Sequence, residues 1–326
     1  MRQPGPEDVL AAARRLAGRV VRTPVLNHAA LDRLTGAHVL LKAEPLQRTG
    51  SFKLRGATHA VLQLGEEGRR RGVVTHSSGN HGQALACAAA SFGVPATIVM
   101  PADAPRIKVE STRDWGATIL PYDRRTGDRE ALSAAEAART GAALIPPYDH
   151  PDVIAGQGTL ALELAEEAVA GGRRLDLLLV PAGGGGLIAG CALAMQAVSP
   201  GTRLIAVEPE GWDDTGRSLR AGERVGGSGG GSLLCDALLT PLPGALTFAV
   251  NRARLSGAVT VGDEAVLAAM AFAFRALKLV VEPGGAVALA ALLAGGVAAA
   301  RGLSVGVVLS GGNADPAVFR RALGSE

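Results

Sequence analysis

The chain of 326 residues contains few aromatic and few cysteine side chains. Aromatic residues make up 3% of it, which leaves little material for a surface that stacks on bases or sugars. The three cysteines, Cys87, Cys191 and Cys235, show no C-x-x-C spacing, which argues against a zinc site or a disulfide framework. Because no signal peptide is recognisable either, we expect a reducing, cytoplasmic location.

A strong charge bias and long apolar runs are also lacking. The net charge of +3 includes no stripe of Lys and Arg, since the runs at 69–71 and 173–174 are isolated, so no nucleic-acid partner is expected. No apolar run reaches about 18 residues without a break, so no membrane span is expected. The 48% hydrophobic and 19% charged composition is typical of a globular enzyme of about two domains.

Strand and helix patterns alternate along the chain. Segments 71–101, 174–210 and 303–315 each begin with a strand that leads into a loop of Ser, Gly or both. Continuous apolar strands such as DLLLV and VGVVL predict an α/β fold, with a parallel sheet covered by helices on both faces. In such sheets, ligands bind where the strands end. The run GGSGGGS at 226–232 is predicted to be a flexible surface loop without a function of its own.

Lysine is the scarcest of the charged residue types. The chain has four, at Lys42, Lys53, Lys108 and Lys278. Lys53 lies in the turn-like sequence TGSFKLRGA, where an arginine would serve equally well as a surface cation. Its presence therefore suggests chemistry that needs an amine.

The sequence PAGGGG at 181–186 predicts a phosphate site. It follows an apolar strand at 175–180 and opens a helix at 187–198, so its backbone N–H groups and the helix dipole converge on an anion. A competing interpretation is the dinucleotide fingerprint from Gly184 to Ala189, with Glu208 as the ribose ligand of an NAD-dependent oxidoreductase. That fingerprint normally follows the first strand of its domain, and it leaves Lys53 without a role.

Two further polar loops follow predicted strands. SSGNHGQ at 77–83 presents Ser77, Ser78 and Asn80 at a helix start, which suits a carboxylate or a phenolate oxygen, whereas His81 alone could equally be an ordinary helix-start residue. Ser310 in SGGN could donate to a heterocyclic nitrogen. A phosphate, an aldehyde that needs an amine, a phenolic oxygen and a ring nitrogen together describe pyridoxal 5'-phosphate. Lys53 has to be lysine because a guanidinium cannot form a Schiff base.

The sequence resembles the fold-type II pyridoxal-phosphate enzymes, specifically the serine/threonine dehydratase and serine racemase group. The similarity runs through RTPVL, LKAEPLQRTGSFKLRGA, SSGNHGQ, VIAGQGT, VPAGGGGLIAG, AVEPEGWDD, VVEPGGAVA and LSGGN. It implies a tryptophan synthase β-like fold with two three-layer α/β/α domains. The implied domains are a large cofactor-binding one (1–54 and 149–326) and a small mobile substrate domain (55–148), without a C-terminal regulatory domain. The resemblance also implies a homodimer.

The resemblance also implies roles for individual residues. Lys53 would hold the cofactor covalently, Phe52 would flank its ring and Asn80 would bind its hydroxyl group. Ser310 would face the ring nitrogen. The phosphate would lie in the glycine loop, formed by Gly183, Gly184, Gly185 and Gly186.

Substrate and cation sites follow from the same resemblance. Ser77, Ser78 and His81 lie in the loop that would bind the substrate carboxylate, and Ser78 occupies the position of the second acid/base in the racemases. A Mg²⁺ or Ca²⁺ ion would be bound by Glu208, Asp214 and the backbone oxygen of Trp212.

The implied activity is an ammonia-lyase reaction. Lys53 would remove the Cα proton of L-threonine or L-serine, and β-elimination would give a 2-oxo acid and ammonia. Ser310 at the ring nitrogen favours prompt elimination over a long-lived carbanion. The chain has Cys235-Asp236-Ala237 where the family usually has Ala-Asp-Gly. A bulkier substrate such as hydroxyaspartate or phenylserine therefore stays open, as do serine racemisation, the NAD-dependent oxidoreductase and a catalytically silent relative.

Overall fold

The computed structural model describes residues 2–104, 106–123, 125–297 and 300–324, without the side chain of Ile107. Within these ranges, ten strands and fourteen α-helices alternate along the chain. The strands are β1 (Val25–Leu26), β2 (His38–Ala43), β3 (Val73–His76), β4 (Ala96–Pro101), β5 (Thr118–Tyr122), β6 (Ala143–Leu144), β7 (Leu177–Pro181), β8 (Arg203–Pro209), β9 (Gly257–Val261) and β10 (Ser304–Leu309).

The helices connect these strands, as parallel pairing requires. They are α1 (Pro6–Leu16), α2 (Ala29–Thr35), α3 (Lys53–Gln63), α4 (Glu66–Arg71), α5 (Asn80–Ser91), α6 (Arg106–Arg113), α7 (Arg129–Thr140), α8 (Pro151–Ala170), α9 (Gly186–Val198), α10 (Asp214–Ala221), α11 (Ala245–Arg252), α12 (Asp263–Phe272), α13 (Pro283–Leu293) and α14 (Pro316–Gly324). Short 3₁₀ segments cover Glu44–Leu46 and Asp236–Leu238, and a π-helical turn covers Ala273–Leu277.

The strands form two sheets. The larger has the order β1-β2-β10-β7-β8-β9, and in it only β1 runs antiparallel to its neighbour. The smaller has the order β5-β4-β3-β6 and is parallel throughout. The described residues of the smaller sheet all lie between positions 73 and 144. This range falls inside the predicted small domain, whose exact boundaries and mobility stay a prediction.

The larger sheet is buried on both faces. Alternate residues of β7 enter two different cores, because side chains along a strand point to opposite faces. Leu177 and Leu179 pack with α12 and α13, whereas Leu178 and Val180 pack with α1, α8 and α9. This explains the continuous apolar strand sequences and gives the predicted helix–sheet–helix layering.

Glycine and alanine allow the covering helices to approach closely. A Cβ atom on Gly158 of α8 would collide with the backbone oxygen of Gly190 in α9. The smaller sheet has a core of its own between α3, α5 and strands β3 and β4. The three cysteines are free and buried. In the described ranges, no helix has the length and hydropathy that crossing a membrane requires.

Candidate active site

Lys53 begins α3 immediately after a segment that pairs with the end of β10. Ser51 forms a bridge with Gly311, and the backbone N–H of Phe52 donates to the oxygen of Ser310 at 3.0 Å. These contacts explain why the turn TGSF places the lysine at the carboxyl edge of the larger sheet. The Lys53 Nζ donates to the backbone oxygen of Pro147 at 2.6 Å and lies 5.1 Å from the centre of the Phe52 ring.

The amine of Lys53 has an unusual acidity. Part of the side chain is accessible, yet protein atoms replace most of the water around the amine. This loss of solvation lowers its pKa from 10.5 to about 8, although the negative charge of Glu282 acts in the opposite direction. A pKa of about 8 leaves roughly one molecule in ten with a neutral amine at pH 7. A neutral lysine amine is what nucleophilic attack or proton abstraction requires.

The glycine loop connects β7 to α9. Its carbonyl oxygens point towards α11, where Thr247 Oγ1 donates to Gly184 at 2.7 Å and Asn251 Nδ2 donates to Gly185 at 3.3 Å. Gly185 has a φ of +88°, which favours glycine. In the described part of the chain, no acceptor is bound to the amide N–H groups of the four glycines. The loop therefore offers free donors at a helix N-terminus, the arrangement that binds a phosphate.

Tyr148 connects the glycine loop to Lys53. A Cβ atom built on Gly184 would lie 2.5 Å from three atoms of the Tyr148 ring, so the ring packs directly on this glycine. The preceding residue, Pro147, accepts the hydrogen bond from Lys53. The following residue, Asp149, accepts three backbone N–H groups at the start of α11, at 2.9 to 3.0 Å. Residues 147–149 thus link Lys53 to the glycine loop through contacts of neighbouring residues.

Half-buried Asn80 and buried Glu282 form a pair that the sequence did not predict. Asn80 Nδ2 donates to Glu282 Oε1 at 2.6 Å, and its Oδ1 accepts from Asn313 Nδ2 at 2.8 Å. Burial raises the pKa of Glu282 to about 7, and the hydrogen bond from Asn80 opposes that rise. The negative charge that offsets the ammonium of Lys53 is therefore itself easily protonated.

Ser310 lies where β10 ends, beside Phe52 and the start of α13. It is 4% exposed, its N–H contacts the Gly285 oxygen at 3.4 Å, and no hydrogen bond of its hydroxyl is found within the described ranges. The hydroxyl of this serine has no protein partner in the described chain and is therefore available to a ligand atom. This position is compatible with the predicted contact to a ring nitrogen.

The SSGNHGQ loop connects β3 to α5. Ser77 Oγ accepts from Gly79 N at 3.2 Å, and both Ser77 and Ser78 keep part of their surface accessible. His81 is different, because it is 2% exposed and its Nε2 contacts the backbone oxygen of Ile145 at 3.0 Å. Burial, reinforced by the charge of Lys53, lowers the pKa of His81 to about 3. His81 is thus neutral at physiological pH and supplies no positive charge to a carboxylate.

Two carboxylates approach each other at the end of β8. Glu208 and Asp214 are both 0% exposed. Glu208 accepts from the backbone N–H groups of Thr215 and Gly216 at 2.7 and 2.9 Å, whereas neither oxygen of Asp214 has a hydrogen-bond partner in the described chain. Burial raises the pKa of Glu208 to about 7 and, together with the charge of Glu208, that of Asp214 to about 8. A buried acid without a hydrogen-bond partner, such as Asp214, is characteristic of a cation site.

The glycine-rich run at 226–232 packs against the turn beside these carboxylates. Trp212 Nε1 donates to the Ser232 oxygen at 3.0 Å, and Ser228 N donates to Asp213 Oδ1 at 2.6 Å. A side chain on Gly231 would collide with the turn. The run therefore packs on the Trp212–Asp214 turn, and the absence of a function of its own stays a prediction. No cluster of three or more His, Cys, Asp or Glu is present among the described residues, so a cation here would also need backbone oxygen and water.

These residues fit pyridoxal phosphate. The glycine loop has free N–H donors and no room for a Cβ atom at Gly184. The amine of Lys53 is linked to this loop through its hydrogen bond to Pro147, and the hydroxyl of Ser310 is without a protein partner in the described ranges. By contrast, the interpretation of Glu208 as a ribose ligand does not fit, because this carboxylate is fully buried and already bonded to two backbone amides.

Comparisons with known proteins found a matching family and similar chains. A family model described as "Pyridoxal-phosphate dependent enzyme" matches residues 16–311. The chain is 46% identical to the L-threo-3-hydroxyaspartate ammonia-lyase of Saccharomyces cerevisiae over 94% of this chain and 93% of that one. It is 40% identical to the serine racemase of Schizosaccharomyces pombe over 95% of this chain and 94% of that one. The crystal structure of a threonine deaminase from T.th. superposes with a TM-score of 0.89 at 44% identity, over 96% of this chain and 99% of that one. The fold class predicted from the resemblance is confirmed.

Proposed function

Because this chain belongs to the pyridoxal-phosphate dependent enzyme family, we propose that it is an ammonia-lyase. The reaction is β-elimination of water from a β-hydroxy amino acid to an enamine, and hydrolysis of the released enamine by one water molecule gives a 2-oxo acid and ammonia. The observation that supports this most directly is the position of Lys53, whose amine donates to Pro147, the residue before the tyrosine that packs on the glycine loop. The similarity to proteins named ammonia-lyase and threonine deaminase supports the same reaction class.

The cofactor would be held by residues from both sheets. Gly183 to Gly186 would donate backbone N–H groups to its phosphate, and Phe52 would flank its ring. Asn80, at the start of α5, would bind its ring hydroxyl group, and Ser310 would donate to its ring nitrogen. When bound, pyridoxal phosphate supplies an aldehyde that captures the substrate amine and a conjugated ring that withdraws electrons from Cα. Lys53 is the residue that would link to it covalently.

Lys53 also acts as the base in this proposal. A lysine near pKa 8 is well matched to taking up a proton near neutral pH, because a base works best when its pKa is close to the working pH. Pro147 orients the amine by accepting its hydrogen bond at 2.6 Å. Glu282 stabilises the ammonium that forms, since its charge favours the protonated amine.

The substrate carboxylate would bind at the start of α5. Ser77 and Ser78 lie there with backbone N–H groups and the positive end of the helix dipole. His81 fixes this loop through its contact with Ile145 rather than through charge. Ser78 would also be the second acid/base if the chain racemises serine.

Among β-hydroxy amino acids we propose 3-hydroxyaspartate as the preferred substrate. Two relatives named L-threo-3-hydroxyaspartate ammonia-lyase, from Saccharomyces cerevisiae and a Pseudomonas species, are each 46% identical over 94% of this chain. The 40% identity to the S. pombe serine racemase keeps serine racemisation as a second candidate.

A substrate panel tests the reaction. The purified protein is loaded with pyridoxal phosphate and assayed for 2-oxo acid and ammonia with L-serine, L-threonine, threo-3-hydroxyaspartate and phenylserine, while chiral chromatography follows D-serine. We expect equal amounts of 2-oxo acid and ammonia, with the highest kcat/KM on hydroxyaspartate. Lys53→Ala should abolish turnover of every member, and Lys278→Ala serves as the matched control. A chain that binds the cofactor but forms neither product nor D-serine would be the catalytically silent relative.

A divalent cation and a second subunit complete the proposal. Glu208, Asp214 and the Trp212 backbone oxygen would bind Mg²⁺ or Ca²⁺, which is supported by the unpartnered carboxylate of Asp214. The homodimer is supported by the exposed apolar side chains of Leu46 and Val280, at 48% and 44%. Sedimentation velocity tests the dimer. A cytoplasmic location is proposed as well, and imaging of a tagged chain would test it.

A further inference from the structure

A lysine on a helix next to the smaller sheet forms an ion pair with an aspartate next to the larger sheet, at the rim of the candidate site. Lys108 lies on α6, which follows β4, and Asp236 begins the 3₁₀ segment Asp236–Leu238. The Lys108 Nζ and the Asp236 Oδ2 are 3.0 Å apart, and the side chains are 34% and 61% exposed. Lys108 is one of only four lysines in the chain.

The 3₁₀ segment places Asp236 in the wall of the site. A Cβ atom on Gly183 of the glycine loop would lie 3.0 Å from the Leu238 Cα, and one on Gly284 would lie 3.3 Å from the Ala237 Cβ. Gly284 is two residues beyond Glu282. The segment that carries Asp236 thus packs against both the phosphate loop and the helix start that follows the buried acid.

Lys108 is close enough to this acid for its charge to matter. Besides burial and the Asn80 hydrogen bond, the charges of Asp236 and Lys108 both act on the carboxyl of Glu282. The ammonium of Lys108 therefore acts on the charge of Glu282, and Asp236 accepts a hydrogen bond from it at 3.0 Å.

We propose that Lys108 binds the second carboxylate of the substrate and so selects 3-hydroxyaspartate over serine and threonine. This inference rests on the proposed ammonia-lyase function. A dicarboxylic substrate brings a side-chain charge that needs a cation, and an ion pair as exposed as Lys108–Asp236 is weak enough for an incoming carboxylate to replace Asp236. Before the substrate binds, the ion pair with Asp236 keeps the Lys108 ammonium at the rim of the site.

Other cations near the site are less suitable. Lys53 is needed for chemistry, and His81 is neutral. Arg129 starts α7, and its charge reaches His76 and Tyr148, but it is exposed and no side chain in the described ranges fixes its guanidinium. Lys108 is the cation that an acid at the rim already orients.

The test compares substrates rather than total activity. Lys108→Met and Lys108→Arg are assayed as holoenzymes on threo-3-hydroxyaspartate, L-serine and L-threonine. Loss of one charge-assisted hydrogen bond predicts that Lys108→Met lowers the hydroxyaspartate/serine ratio of kcat/KM by about 10- to 100-fold, mainly through KM. Lys108→Arg should keep most of the ratio. Arg106→Met, on the same helix and paired with Glu110, is the matched control and should leave the ratio unchanged.

A binding measurement gives a readout independent of turnover. Calorimetry with succinate and butyrate should show that the wild type prefers the dicarboxylate and that Lys108→Met loses this preference. Cofactor absorbance should stay the same in every variant. An equal fall on all substrates, an unchanged ratio, or a ratio altered by Arg129→Gln instead of Lys108→Met would overturn the inference.

Failure of the inference differs from failure of the proposed function. A wild type that eliminates serine and threonine but prefers neither hydroxyaspartate nor succinate would refute the role of Lys108 and leave the ammonia-lyase intact. A wild type that releases no ammonia from any substrate would refute the proposed function itself, and the inference with it.

Discussion

Adding a single methyl group to the glycine loop should weaken cofactor binding. In Gly184→Ala the new Cβ atom would lie 2.5 Å from three atoms of the Tyr148 ring, whereas ordinary contacts lie at 3.4 to 4 Å. The ring must therefore move by roughly 1 Å or the loop must deform, and such overpacking costs about 1–3 kcal/mol. If this strain opposes the conformation that binds the phosphate, the Kd for pyridoxal phosphate should rise about 5- to 150-fold.

The assay is a titration of the cofactor-free protein with pyridoxal phosphate, followed by absorbance and by thermal unfolding. Gly201→Ala is the matched control, because a Cβ atom there meets no atom within 4 Å. Tight binding by Gly184→Ala, with the same unfolding midpoint as Gly201→Ala, would refute the packing of Tyr148 on the loop.

Two further predictions concern buried charges. Because Asp214 and Glu208 have raised pKa values, the native state binds protons that the unfolded chain releases, so without a cation the free energy of unfolding should fall as pH rises from about 5 to about 8. Ca²⁺ or Mg²⁺ should then raise the unfolding midpoint more at about pH 8 than at about pH 6, and Asp214→Asn should abolish this pH-dependent gain; a gain that persists in the variant would place the cation elsewhere. Arg55 forms hydrogen bonds of 2.8 and 2.9 Å with Glu44, and both side chains are 0% exposed. Arg55→Met therefore leaves the Glu44 carboxylate without its cationic partner and should lower the free energy of unfolding in urea by about 3–5 kcal/mol. A loss no greater than that of the exposed control Arg70→Met would show that this buried network is dispensable.

The parts of the site that follow strands were predictable from the sequence. Continuous apolar strands indicated a parallel sheet, and a parallel sheet gathers its loops at one edge. The glycine loop and Ser310 therefore needed no long-range information to be placed together. The scarcity of lysine singled out Lys53 without any knowledge of its surroundings.

Residues whose role depends on distant contacts were missed. Glu282 becomes a buried acid only because Asn80, 202 positions away, packs against it, and in the sequence it appeared as a break between two apolar helices. Tyr148 contacts the glycine loop only in the folded structure, because the two are far apart in the sequence. A signal did exist, because Tyr148 is one of only two tyrosines in the chain and directly follows two prolines.

The pairing of Lys108 with Asp236 could not be read from the sequence either. The two residues are 128 positions apart, one on α6 and the other in the 3₁₀ segment Asp236–Leu238, and no local pattern links them. The Cys235-Asp236-Ala237 sequence indicated that the substrate side of the site differs from that of the family. Only the fold shows which cation faces it.

The central claim is that Lys53 carries the cofactor, and the four lysines of the chain make it directly testable. The protein is saturated with pyridoxal phosphate, reduced with borohydride and digested, and the pyridoxyl-labelled peptide is identified by mass spectrometry. We expect one label per chain, on Lys53, and no stoichiometric label in Lys53→Ala. A label on Lys42, Lys108 or Lys278 in place of Lys53, or no label at saturation, would contradict it.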